Sequence, residues 1–126
     1  MPGYTGSRAE VTPKPKGDKV LRGSATTGAT YAVVGNCKRT VTNGKTFNVA
    51  KIAISCASDV VAKITFGGTD ISIEYNVSGK VPLTDWFAQG DKQAVGDGSK
   101  VLQVEAKYPS GGSGDTVYAE LTGEEV

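Results

Sequence analysis

The sequence contains no histidine. That removes the commonest general base and a favoured ligand of zinc and copper. A serine or cysteine nucleophile then lacks its usual proton acceptor. Two cysteines cannot complete a zinc site by themselves. The charge is nearly balanced, with 14 Lys and Arg against 13 Asp and Glu, so the whole chain carries no electrostatic footprint for nucleic acid or an anionic membrane. The longest apolar runs fall far short of the roughly 20 residues that cross a bilayer. Met1-Pro2-Gly3-Tyr4 lacks the charged-then-apolar order of a secretion signal, and the expected site of synthesis is the cytoplasm.

Glycine is abundant, at 17 of 126 residues, and most glycines fall where the chain must turn. This suits many short strands in one domain. Residues 47–77 carry the clearest period of two. Ile52, Ile54 and Cys56 alternate with Lys51, Ala53 and Ser55; Val60, Ala62, Ile64 and Phe66 alternate with Val61, Lys63 and Thr65; Ile71, Ile73, Tyr75 and Val77 alternate with Ser72, Glu74 and Asn76. The expectation is a three-stranded meander with these residues inward and turns at Ala57–Asp59 and Gly67–Asp70. Asn43-Gly44 predicts a type I′ hairpin pairing residues 39–42 with 45–48. Lys38, Arg39 and Lys45 would form its solvated tip. Residues 78–99 form a long connection with Pro82, in which Thr84–Ala88 reads as a helical turn and Trp86 and Phe87 as plugs of the sandwich end. Residues 100–107 and 116–122 alternate cleanly, with Leu102, Val104, Ala106, Val117, Ala119 and Leu121 inward.

The expected fold is therefore all-β: a single jelly-roll or Greek-key-like β-sandwich of about seven or eight strands over residues 29–126. Residues 1–28 lack apolar periodicity, with Pro2, Pro13 and Pro15, and read as an extended N-terminal arm, with a short strand near Lys19–Arg22. Its positive and aromatic side chains, Tyr4, Arg8, Lys14, Lys16, Lys19 and Arg22, are the expected partner contacts.

The order of pieces in the C-terminal part, Leu-Thr-Asp-Trp-Phe at 83–87, the Gly96–Ser99 turn, KVLQVEAK, a glycine-rich loop and DTVYAELTGEEV, resembles the small β-sandwich virion proteins of tailed bacteriophages. The resemblance covers about residues 47–126 and is one of pattern. It implies a structural role without catalysis: a capsid decoration or accessory protein that binds neighbouring virion proteins and copies of itself, located in the virion and made in the host cytoplasm. No cofactor, nucleic-acid or membrane partner is implied.

A second reading is a carbohydrate- or receptor-binding module in which Trp86, Phe87 and Tyr108 meet the ligand. Cys37 and Cys56 leave two readings open. One is a disulfide between the sheets, which would stabilise by about 3–4 kcal/mol. The other is a pair of buried thiols. Asp85, Asp91 and Asp97 share one connection and would have to converge to hold calcium, although their spacing matches no EF-hand loop.

Overall fold

A computed structural model describes residues 16–26, 28–109 and 115–126. Among the described residues ten strands make two antiparallel sheets. Sheet A contains β1 (Lys19–Thr26), β10 (Thr116–Glu125), β3 (Thr46–Cys56) and β7 (Leu83–Trp86), in that order, with β8 (Gln93–Val95) also pairing β3. Sheet B runs β2 (Ala32–Thr40), β9 (Val101–Lys107), β4 (Val60–Phe66), β5 (Thr69–Asp70), with β6 (Tyr75–Val77) also on β4. The pieces β5 and β6 share one flank of β4, and β7 and β8 share one flank of β3. Eight strand positions result, nested first against last, which is the jelly-roll arrangement.

Alternation drives this layering. Ile52, Ile54, Val60, Ala62, Ile64, Leu102, Val104, Val117 and Leu121 are all buried between the sheets, as their period of two requires. Phe66, Ile71 and Leu83 pack half-buried against them.

The expected meander over residues 47–77 is not one. β3 lies in sheet A and β4 in sheet B, so Ala57–Asp59 is an arch between sheets. Side chains hold the arch: Ser58 bonds the Asp115 carboxylate, and Asp59 accepts the Gly79 N–H at 2.7 Å. The third segment is also interrupted. The Ser72 hydroxyl accepts the Ile64 N–H at 2.8 Å, taking the place of a ladder carbonyl, and Ile73 turns outward.

Asn43-Gly44 does turn, but it does not close a hairpin. The Lys45 N–H reaches the Thr42 carbonyl at 3.0 Å, and Gly44 has φ of +80° while Asn43 does not enter the left-handed region. This is a type II geometry, whose twist splays the flanking strands. β3 accordingly leaves β2 and pairs β10. The two consecutive left-handed residues of a type I′ hairpin are Gly67 and Gly68, at +59° and +83°, between β4 and β5. The predicted helical turn at Thr84–Ala88 is instead β7 and its exit: Leu83–Trp86 finds a ladder partner on β3, and that outweighs local capping. The predicted arm of residues 1–28 contains β1, which pairs β10 along its whole length.

Candidate functional site

The outer face of sheet A is laid out by register. Val20, Thr122, Lys51 and Trp86 stand side by side across β1, β10, β3 and β7. The next row is Arg22, Glu120, Ala53 and Thr84. The third is Ser24, Tyr118 and Ser55. Their neighbours Leu21, Ala119, Leu121, Ile52 and Ile54 point into the core, so these residues point out.

Side-chain size shapes this face. Ala53 and Ser55 on β3 are small, while Tyr118 and Glu120 on one side and Pro82 and Thr84 on the other stand above them. The result is a shallow groove of about 260 Å3, with Arg22 at its rim. Trp86 and Tyr118 are each 58% exposed.

A chain of charges crosses one end. Glu120 accepts from Arg22 Nε at 2.6 Å through Oε2 and meets Lys51 Nζ at 2.9 Å through Oε1. Lys51 Nζ in turn lies 5.3 Å from the centre of the Trp86 ring. Cations attract the negative face of an indole at this range. The Arg22 hydrogen bond, followed by that of Lys51, holds the Glu120 carboxyl below its usual range. Exposed pairs such as Arg22–Glu120 add little stability. Their effect here is to fix the side chains that bound the groove.

The structure separates the three aromatic residues expected to act together. Trp86 is on the outer face. Phe87 is buried, and its N–H bonds the Ala50 carbonyl at 2.9 Å. Tyr108 is buried, and its hydroxyl accepts from the Asp115 N–H at 2.8 Å and donates to the Asp115 carbonyl. Phe87 is therefore the plug, and Trp86 is not. Tyr118 takes the place of the missing aromatic partner. Its outward position follows from the inward set Val117, Ala119 and Leu121.

Of the expected arm contacts, Tyr4, Arg8 and Lys14 lie outside the described residues. Lys16 and Lys19 are exposed, and Arg22 belongs to the sheet A face. Cys37 and Cys56 are both buried and both free, so the disulfide reading gives way to the thiol one. The Cys37 Sγ lies 3.5 Å from the Leu21 carbonyl, and burial pushes its thiol up to about 12.

The three aspartates do not converge. Asp85 accepts from Tyr75. Asp97 accepts the N–H groups of Ser99 and Lys100, each at 2.8 Å, and these, Lys100 first, lower its carboxyl to about 2. Among the described residues no cluster of three or more Cys, Asp or Glu side chains is placed to hold a metal ion. Among them, too, no helix is long and apolar enough to cross a membrane.

No family model matches the chain, and no curated protein matches it.

Proposed function

We propose that this is a non-enzymatic structural protein of a virion, of the capsid decoration or accessory kind, which binds neighbouring subunits through the outer face of sheet A. The observation that carries the reading is that face: two half-exposed aromatic side chains, Tyr118 lining a small-residue groove and Trp86 one row beyond it, with the ordered charges of Arg22, Glu120 and Lys51 between those rows. Aromatic and arginine side chains beside a recess are the usual anchors of protein interfaces. Asp97, Glu120 and Glu125 are all shifted down by donors, so none of these three is tuned as a general acid. The reading also draws on the sequence pattern of about residues 47–126, which resembles that of small phage virion proteins. Copies of the chain around a symmetry axis would add avidity to weak contacts.

The test is mass spectrometry of gradient-purified particles from cells that make the protein. The expected result is a fixed stoichiometry with the shell protein, lost in a folded Trp86→Ala, Tyr118→Ala double variant. Particles free of the wild-type protein would sink the reading.

The exposure of Trp86 favours a second reading, a carbohydrate- or receptor-binding module, because an exposed indole on a sheet face can stack on a sugar ring. Saturable quenching of the single tryptophan by an oligosaccharide, with no protein in particles, would select it.

A further inference from the structure

Ile73 is the most exposed large apolar side chain among the described residues, at 70%. Its period places it inward with Ile71 and Tyr75, and local bonding reverses it. The Ser72 hydroxyl accepts the Ile64 N–H and donates to the Ile73 carbonyl, both at 2.8 Å. On one side the Ile71 N–H bonds the Ile64 carbonyl at 3.0 Å. On the other the Tyr31 phenol bonds the Glu74 carboxylate. Tyr31 is itself held, with Lys63 Nζ at 4.1 Å and Lys107 Nζ at 4.8 Å from its ring centre. Ile73 is therefore displayed by a braced segment, and such a segment has little freedom left to lose on binding.

The groove on sheet A is its counterpart. Ala53, Pro82, Leu83 and Tyr118 give it apolar walls, and about 260 Å3 has room for one branched aliphatic side chain. The charges are complementary. Asp70 and Glu74 flank Ile73; Lys63 balances Asp70, while the Tyr31 phenol leaves the Glu74 charge in place. At the groove, Glu120 balances one of Arg22 and Lys51, and the Arg22 side chain at the rim is 74% exposed. One excess negative charge thus meets one excess positive charge. Ile73 lies on the flank of sheet B, between β5 and β6, and the groove lies on the outer face of sheet A. The core stands between them, so a chain cannot fill its own groove.

We propose that Ile73 of one copy seats in the sheet A groove of the next, with Glu74 beside Arg22. This rests on the reading that the outer face of sheet A binds neighbouring subunits, and it names that neighbour as a second copy. The two patches differ, so the contact is heterologous: it repeats head to tail and makes a ring where the rotation closes. Each single contact is small, and the closed ring adds avidity.

The experiment is sedimentation velocity of the full chain over a concentration series, with no particle present. The wild type should gain mass with concentration. Ile73→Ser loses the inserted side chain, and Ala53→Arg fills the groove. Each variant alone should stay monomeric with the wild-type circular dichroism. Their equimolar mixture should form a one-to-one dimer, because one partner keeps the groove and the other keeps Ile73. Thr84→Arg, on the groove wall, replaces Ala53→Arg if that variant unfolds. Assembly of Ile73→Ser at wild-type strength would overturn the proposal, and so would a mixture that stays monomeric. A wild-type chain that is monomeric up to about 1 mM, the order of effective concentration that tethering provides, would also overturn it. That last result would leave the virion reading standing, with the face serving a different subunit.

Discussion

The Tyr75 phenol donates a 2.8 Å hydrogen bond to the Asp85 carboxylate and so ties β6 of sheet B to β7 of sheet A. Burial first, then the Asp85 bond and charge, raises the Tyr75 hydroxyl well above the usual tyrosine range. The folded value lies above the unfolded one of about 10, so this stabilisation is complete below that pH and is lost as pH rises beyond it. Tyr75→Phe should cost about 1–2 kcal/mol at pH 7. Urea unfolding at pH 7 and at about 11 should show the gap between wild type and variant narrowing in alkali. A constant gap would mean that the bond does not discriminate between the protonation states.

Glu125 makes the matching tie at the other end of the chain. Its carboxylate meets Arg39 Nη2 at 2.7 Å and accepts the Thr42 N–H at 3.0 Å, joining the end of β10 to the end of β2. These donors, Arg39 first, lower it to about 2. The stabilisation is present above the unfolded value of about 4.3 and is lost as pH falls towards 2. Glu125→Gln should cost about 1.5–3 kcal/mol at pH 7. That cost should fade as urea titrations are repeated from about pH 5 downwards.

The core was legible in the sequence because burial follows a local period. Ile52, Val104 and Leu121 each declare their face by their neighbours. Sheet membership was not legible. Whether Ala57–Asp59 closes a hairpin or an arch depends on which strand β3 finds, and that strand, β10, is some sixty residues away. At Asn43-Gly44 the dipeptide marks the turn but not its hand. The groove was half legible: Tyr118 had to point out once Val117 and Ala119 pointed in. A helical turn at Thr84–Ala88 would carry Trp86 inward, but β7 continues the ladder there, and the ladder's alternation turns Trp86 out.

The two thiols give a prediction of the opposite kind, an absence of reaction. Cys37 and Cys56 are 0% and 4% exposed. With Cys37 pushed up to about 12, its reactive thiolate is scarce near neutrality. An aromatic disulfide reagent should label neither residue faster than the chain opens, and should count two thiols in urea. Adding a reductant should leave the unfolding midpoint unchanged. A loss of about 2–4 kcal/mol on reduction would mean that the two are bonded.

The last prediction concerns how the sandwich closes beside β1. A Cβ on Gly23 would fall 2.2 Å from the Val34 carbonyl oxygen and 2.6 Å from the Asn36 nitrogen. Gly35, with φ of +56°, sits where β2 bulges away from β9, and a Cβ there would fall 2.3 Å from the Ser24 carbonyl oxygen. Backbone therefore meets backbone between β1 and β2, and neither side has a flexible tip that can yield. Gly23→Ala must push β1 off β2 and carry Leu21 away from the core, at a cost of about 3 kcal/mol or more. Gly28→Ala, with nothing within 4 Å of the added carbon, should change stability by no more than about 0.5 kcal/mol. Thermal melts of the two variants make the comparison. If Gly23→Ala melts with the wild type, β1 is free to shift along β2 and the close approach is not a constraint on the fold. If it melts early and also aggregates, loss of β1 has bared the edge of β10, because an unpaired strand edge recruits other chains.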